Sequence, residues 1–319
     1  MIAPKLIYNV GILFLMMIPG VILKKTRLST DGFGKGISNL ILYIAQPTLV
    51  FLAYVRPYDS NVLVNALYVF LFSIVAHVIF AVVSLLSYKK APDAMRRMLR
   101  FATLFSNAAF MGIPLISAVL GDEATIYASI YNITFNLFLW SLGVYICTDR
   151  DGETDDVGAF LKSSLIKAVL HPVTIAAALG LLFFFLPIDT YIPDILIDGM
   201  TMLKQLVAPL SMVVIGIRLA DMNLKGFFTN INLYIFIALR HFILPTLVFA
   251  VMRIFSIFVT LHIDVITSVL IMASAPAASS ATMFAEKYDC DADYASKLVA
   301  VSTILSLATM PVVILLTNI

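Results

Sequence analysis

Two groups of small and polar residues interrupt long apolar segments, and each group contains a proline. Pro114 follows Asn107 in the first segment, and Pro276 precedes Ser279 and Ser280 in the second. A helix interrupted at membrane depth exposes backbone groups that lipid cannot hydrogen-bond, so it persists only against protein or a wet cavity. Free N–H groups at a half-helix start, with amide and hydroxyl side chains beside them, can bind an anion. We therefore expect a binding site for a small molecule at these two interruptions, each marked by its proline.

Three amide side chains lie in other apolar segments. Asn132 and Asn136 are four residues apart, so they share one face of a helix, and that face should point into the protein. Gln46 stands directly before Pro47, where its amide either lines the opposite wall of the site or joins an interface between helices. Amides also hold membrane helices together by hydrogen bonds, so a purely structural role is the alternative for each of them.

Three ionisable side chains lie well inside apolar segments, where each one is costly. His77 and His241 are candidates for proton coupling, because histidine titrates near physiological pH. A neutral histidine bonded to a backbone carbonyl fits the same positions. Arg240 is a candidate for balancing the charge of a bound anion, and a structural pair with an acid of the protein is its alternative.

The composition indicates a protein that lies almost wholly in a membrane. Of the 319 residues, 61% are hydrophobic and 13% are charged, and the mean hydropathy is +1.00. No soluble domain has that balance.

Motifs for catalysis are missing from the sequence. It contains neither a phosphate-binding loop nor a nucleophile–base or metal-ligand pattern in the apolar segments. We therefore expect no enzyme, no ATP-driven pump, and no metal or cofactor. Cys147 and Cys290 are distant from each other in sequence, which favours inert residues over a redox pair. The basic cluster at 89–100 is interpreted as a determinant of topology, and no nucleic-acid partner is expected.

Ten segments have the length of membrane-spanning helices, which need about 20 mostly apolar residues. Lysine and arginine concentrate at the odd-numbered loops, so the positive-inside rule places both termini outside and an acidic linker, 148–160, in the cytoplasm. We predict a multi-pass protein of the plasma (inner) membrane. The predicted spans are 5–24, 35–55, 63–88, 98–119, 124–147, 162–186, 196–219, 231–258, 263–286 and 292–317.

The spans are predicted to form an inverted repeat. Five spans in residues 1–147 and five in 161–319 insert with opposite orientations, because each half has an odd number. Pro47 and Pro114 have the same separation from Pro209 and Pro276, respectively. The predicted fold is therefore an all-α bundle of ten helices in a five-plus-five inverted repeat, with broken fourth and ninth helices crossing at the midplane.

The motifs around these prolines resemble the auxin efflux carrier family, which includes the plant PIN-formed auxin exporters and many bacterial carriers. The short linker is similar to the bacterial branch. One departure is His171 before Pro172, where the family pattern has asparagine. The resemblance covers the whole chain, and the stretches that carry it are 107–115, 121–124, 275–280, 285–288, 295–299, 302–306 and 310–311.

The resemblance implies an architecture and a function. A scaffold of spans 1, 2, 6 and 7 would support a transport domain of spans 3–5 and 8–10, in a fold like that of bile-acid/sodium symporters. Asn136 matches an amide position beside the substrate, and a homodimer through the second and seventh spans is implied. Family members move organic anions, so we expect a secondary carrier of carboxylates such as auxin-like or dicarboxylic acids, working as an elevator.

Other functions stay open at this point. Proton coupling and uncoupled transport both fit, whereas sodium coupling is less expected because no acidic residue lies at the Pro276 interruption. A sodium-coupled organic anion symporter and a transporter-like sensor of lipid or sterol are the alternatives. Membrane lipids are expected partners in every case.

Overall fold

The computed structural model describes residues 2–30, 32–148, 157–186, 192–220 and 227–316. Every regular element in these ranges is a helix. The linker predicted at 148–160 falls largely on 149–156, outside the described residues. The first half contains α1 (Ile2–Leu15), α2 (Ile18–Lys25), α3 (Phe33–Leu40), α4 (Gln46–Tyr54), α5 (Ser60–Leu86), α6 (Asp93–Leu104), α7 (Ile113–Leu120), α8 (Thr125–Phe138) and α9 (Val144–Cys147). The second half contains α10 (Val157–Val169), α11 (Pro172–Phe185), α12 (Asp194–Lys204), α13 (Val207–Ala220), α14 (Ile231–Ala238), α15 (Leu244–Phe255), α16 (Ile263–Ser274), α17 (Ser280–Lys287) and α18 (Ala292–Leu316).

Seven helical stretches are long and apolar enough to cross a membrane, which confirms an all-helical, multi-pass architecture. They fall on the first, second, third, fifth, seventh, eighth and tenth predicted spans. Shorter apolar helices at Ala108–Leu120, Pro172–Phe185 and Ile263–Ser274 fall on the other three. The count of ten spans and the inverted repeat stay predictions. The seven long stretches are Ile7–Lys25, Phe33–Tyr54, Ser60–Leu86, Asp122–Cys147, Asp194–Ala220, Ile231–Phe255 and Ala292–Leu315.

Two helical segments are interrupted, and the interruptions lie side by side. The first, at residues 105–107, separates α6 from the helix that starts at Ala108. The second, at 275–279, separates α16 from α17 and includes Pro276 as expected. The expectation for Pro114 is wrong, because this proline lies inside a continuous helix, Ala108–Leu120. Asn107 is therefore the residue that precedes the half-helix.

Turns of π-helix explain why Pro114 does not end its helix. A proline lacks the N–H donor, and its ring clashes with the carbonyl group four residues earlier. A π turn widens the helix locally and so accommodates the proline without a break. A π turn stands just before each of three prolines: Ile41–Ala45 before Pro47, Ala108–Gly112 before Pro114, and Leu239–Ile243 before Pro245.

Two helix pairs pack unusually closely. The α2–α13 contact brings backbones together: a Cβ atom at Gly20 would lie 2.1 Å from the Val213 carbonyl oxygen, and one at Gly216 would lie 2.1 Å from that of Met17. In the α4–α11 contact, Gly180 faces the side chain of Tyr54. Small residues permit such approach between membrane helices. These pairs join predicted span 1 to span 7 and span 2 to span 6.

Candidate functional site

Backbone hydrogen bonds join the two interruptions to each other. The N–H of Asn107 donates to the Pro276 carbonyl (2.7 Å), and the N–H of Ala278 donates to the Phe105 carbonyl (2.9 Å). Ser106 and Ala277 therefore form an isolated antiparallel bridge. These bonds satisfy backbone groups that the missing helical turns leave free and that lipid could not hydrogen-bond.

We call the hydrogen-bonded pair of interruptions, residues 105–107 and 275–279, the seam. Polar side-chain atoms around the seam are buried and lack hydrogen-bond partners among the described residues. They include Nδ2 of Asn107, Oγ of Ser106 and Oγ of Ser280, which all lie at the interruptions. Gln46 donates from Nε2 to the Ala109 carbonyl (2.7 Å), so it lies beside the same half-helix, while its Oε1 is unpartnered. Such atoms are rare in native proteins, and a group of them indicates bound water or a ligand.

The two asparagines of α8 belong to the same region. This helix packs against the π turn Ala108–Gly112 and against α16. Asn132 and Asn136 are buried, as their spacing predicted. Both amide atoms of Asn132 and Nδ2 of Asn136 are unpartnered within the described part of the chain. The structure thus brings Gln46, Asn107 and the α8 amides toward one seam.

Ser279 and Pro276 each contribute a backbone carbonyl group to this region. The Pro276 carbonyl is committed to Asn107, and the Ser279 carbonyl accepts a hydrogen bond from Nη1 of Arg218 (3.1 Å). Arg218 lies near the end of α13, so this bond links α13 to the start of α17. In the sequence, Arg218 is only one of the basic residues near the odd-numbered loops that define the topology, so this contact was not predicted. Its position in an apolar helix with one charged end gave no indication of its partner.

Arg240 is fully buried beside the seam. Its guanidinium donates to the carbonyls of Ala273 (3.0 Å) and Ala275 (2.6 and 3.2 Å), and to that of Thr103 (3.3 Å). The ring of Phe80 lies 5.3 Å from the guanidinium carbon. The partners are thus carbonyls at the C-terminal ends of α6 and α16, where the helix dipole is negative. The acid considered as an alternative partner does not occur among them, and the charge-balance role stays a prediction.

The two histidines have different surroundings. Nδ1 of His77 lies 2.7 Å from the Ser73 carbonyl, and its ring stacks on Phe138 with centroids 5.1 Å apart. His241 is held at both ring nitrogens, with Nδ1 2.9 Å from the Thr309 hydroxyl and Nε2 2.9 Å from that of Ser302.

Ser302 connects His241 to the seam, a link that sequence reasoning missed. Its Oγ also accepts from the Ala277 N–H (2.9 Å), in the second interruption. The Ser302 hydroxyl can donate to a neutral His241 while accepting from Ala277, which satisfies all three groups. No sequence pattern distinguishes Ser302, because α18 contains several serines and threonines.

A cavity of about 770 Å³ opens beside α17, between the helices that carry the seam and the α2–α13 pair. Phe110, Thr282 and Arg218 line it, so it reaches both half-helices. Its charged lining residues are Lys24, Lys35, Arg218, Glu286, Lys287, Asp293 and Lys297. Cations outnumber carboxylates in this lining, which favours the entry of anions.

A second cavity, of about 630 Å³, is lined by other loops and helix ends. Arg56 and Glu123 both line it and form an ion pair of 2.9 Å. Asp122, the residue before Glu123, forms a second ion pair with Lys204, at 2.7 Å. The two pairs join the ends of α4 and α12 to the short turn at Asp122–Ala124.

Comparison with known proteins gives a consistent result. Residues 6–314 match the model of a family described as membrane transport protein. An uncharacterized transporter of Methanothermobacter thermautotrophicus is 24% identical over 297 residues, which cover 93% of each chain. An uncharacterized transporter of Methanocaldococcus jannaschii is 23% identical over 304 residues, covering 93% of this chain and 94% of its own.

Proposed function

This chain belongs to the auxin efflux carrier family of membrane transport proteins, and on that premise we propose that it is a secondary carrier of small organic anions. The substrates would be carboxylates, such as auxin-like or dicarboxylic acids. The observation that carries the proposal is the group of unpartnered polar atoms at the hydrogen-bonded seam. A carboxylate needs several donors in one place, and the Asn107 amide with the N–H groups at the half-helix starts can supply them.

The charge of the adjoining cavity supports an anionic substrate. Lys24, Lys35, Lys287, Lys297 and Arg218 line it together with only two carboxylates. One of those carboxylates, Asp293, is already paired with Lys297 at 2.5 Å. A cleft with this balance of charge raises the local concentration of anions and so promotes their capture.

We further propose an elevator mechanism with a scaffold of spans 1, 2, 6 and 7. The close α2–α13 and α4–α11 contacts support a rigid scaffold. The hydrogen-bonded seam supports one moving body that contains both interrupted helices, crossing at the midplane. The ion pairs Arg56–Glu123 and Lys204–Asp122 would hold this body against the scaffold on one side while the large cavity admits substrate on the other.

Proton coupling through His77 or His241 remains part of the proposal. The Ser302 hydroxyl, shared between His241 and Ala277, offers a route by which protonation at His241 would alter the seam. Protonation would make Nε2 a donor and force the Ser302 hydroxyl to find another acceptor. Replacing His241 with glutamine should remove any dependence of transport on a pH gradient, and persistent dependence would exclude His241 as the coupling group.

Uptake by proteoliposomes tests the function. The purified protein would be reconstituted and supplied with labelled mono- and dicarboxylates. Asn107→Ala should lower the uptake of the best substrate by roughly tenfold, the worth of one charge-assisted hydrogen bond. Asn9→Ala is the matched control, because its exposed amide only bonds the Lys5 carbonyl. The absence of flux for all carboxylates, combined with tight binding of a lipid or sterol, would instead identify a sensor.

A further inference from the structure

The two cysteines meet in the folded protein, although 142 residues separate them in the sequence. Cys147 is the last residue of α9, and Cys290 lies in the turn between α17 and α18. The Cys290 sulfur is 3.3 Å from the Cys147 carbonyl oxygen, so the two residues are neighbours, and each thiol influences the ionisation of the other. The two cysteines are therefore neighbours in the fold, which their large separation in the sequence did not indicate.

A guanidinium group lies beside this pair. Arg97 donates from Nη1 to the Cys147 carbonyl (3.4 Å) and also forms an ion pair with Asp93. A hydrogen bond from the Cys147 thiol, helped by the nearby Arg97 guanidinium, lowers the pKa of Cys290 to about 7, although partial burial and the Asp289 charge act in the opposite direction. Thiolate is the reactive form of cysteine, so Cys290 is unusually reactive near neutral pH.

Accessibility divides the roles of the two thiols. Cys147 is completely buried, whereas Cys290 is partly exposed. An oxidant from solution therefore reaches Cys290 first, and Cys147 is positioned as the second thiol. This arrangement, an exposed thiolate beside a resolving thiol, is typical of cysteines that undergo reversible oxidation.

We propose that Cys290 and Cys147 form a dithiol that hydrogen peroxide oxidises to an intramolecular disulfide. The Cys290 thiolate attacks one peroxide oxygen, the O–O bond breaks, and the departing hydroxide becomes water by taking up the proton that Cys290 released when it ionised. The Cys147 sulfur then attacks the sulfenic sulfur of Cys290, the S–S bond forms, and the departing hydroxide leaves as water with the Cys147 proton. Peroxide is reduced to two waters, and the two thiols lose two electrons in total.

The position of the pair gives the oxidation a consequence for the large cavity. Cys290 lies three residues beyond the end of α17, and α17 contributes Thr282, Met283 and Glu286 to the cavity wall. A disulfide would fasten the end of α17 to the end of α9. Both residues lie on the side that the charge distribution predicts to be cytoplasmic, where thiols are normally reduced and oxidation is a transient signal.

Thiol counting on the purified, full-length protein tests the proposal. Stoichiometric peroxide should convert the wild type to a monomeric disulfide that dithiothreitol reverses. Cys147→Ser should instead accumulate a sulfenic acid on Cys290, trapped by dimedone, and Cys290→Ser should keep Cys147 reduced. Two free thiols in the treated wild type, a disulfide between two chains, or oxidation of Cys147 in Cys290→Ser would each overturn the proposal.

The pH dependence of alkylation provides an independent test. In the wild-type protein, the alkylation rate at Cys290 should rise with pH with a midpoint near pH 7. A midpoint near pH 9 would contradict the lowered pKa of Cys290. Arg97→Gln should lower the rate at pH 7 by roughly tenfold per unit of pKa recovered. If this variant does not fold, the wild-type midpoint alone decides. Both tests are independent of the transported substrate, so they stand or fall apart from the carrier function.

Discussion

Arg240 is the largest of the fully buried side chains among the described residues. Its guanidinium donates hydrogen bonds to carbonyl groups at the ends of two interrupted helices. Removing one partner of a buried charged hydrogen bond leaves the other unsatisfied, which costs more than the bond itself contributes. The contacts thus assign Arg240 first to the stability of the seam.

Arg240→Gln should lower the free energy of unfolding by about 3 kcal/mol or more, because several buried carbonyls lose their donors. Thermal unfolding of the purified protein in detergent measures the effect. Arg253→Gln provides the control, since this arginine on α15 is exposed. Wild-type stability combined with loss of transport would favour the alternative, that Arg240 balances the charge of the substrate.

Arg218 is expected to influence affinity more than stability. It lines the large cavity, and its Nη1 donates a hydrogen bond to the Ser279 carbonyl. The other N–H groups of its guanidinium can donate to a carboxylate. Arg218→Gln should raise the KM for the anion about tenfold, and Arg218→Lys should raise it less. Lys25→Gln, at the exposed end of α2, should leave KM unchanged. An unchanged KM in Arg218→Gln would restrict Arg218 to a structural role.

Among the elements, the interrupted helices show what sequence patterns can and cannot predict. Small residues around Pro276 located one interruption correctly. Around Pro114 the same reasoning placed the break too late, because a π turn absorbs the proline and the chain breaks earlier, at 105–107. The choice between a break and a π turn depends on tertiary partners, here the Pro276 and Phe105 carbonyls. No local pattern contains that information.

The contact between α2 and α13 can be tested through its glycines. Gly216→Ala should destabilise the protein by about 1–3 kcal/mol, because the new Cβ would collide with the Met17 carbonyl and the backbones must separate. Gly11→Ala is the matched control, since no atom lies within 4 Å of the added carbon. Unfolding in detergent compares the two variants. Equal stability would show that the helices are less closely packed than described.

At the scale of the whole molecule, the two cavities lie among different sets of loops. Ion pairs from Arg56 to Glu123 and from Lys204 to Asp122 cross between helices beside the smaller cavity. The larger cavity lies beside α17.

The overall bundle and the buried amides of α8 were predictable from hydropathy and spacing. The partners of Arg218, Ser302 and Cys290 were not, because each is brought in from a distant helix.

Neutralising the carboxylates of both ion pairs should shift the protein away from the conformation described. Exposed pairs contribute only about 0.2–1 kcal/mol each, yet that is enough to change the ratio of two conformations several-fold. In a background with Cys147→Ser and Cys290→Ser, a cysteine replacing Thr282 would report cavity access through its labelling rate by a maleimide. Asp122→Asn with Glu123→Gln should slow this labelling several-fold, whereas Arg253→Gln should not. Unchanged or faster labelling would contradict the proposal that these ion pairs hold the moving body against the scaffold.

The bridge between Ser106 and Ala277 has a consequence for where the molecule can yield. Interrupted helices are usually regarded as hinges. Here, however, the N–H groups of Asn107 and Ala278 each donate a hydrogen bond to a carbonyl group of the other interruption. Their amide protons should exchange with deuterium as slowly as those in the middle of α16, since both groups are buried and bonded. The interruptions would then be the stiffest part of the interior, and deformation would concentrate at the outer surfaces of the body that surrounds them.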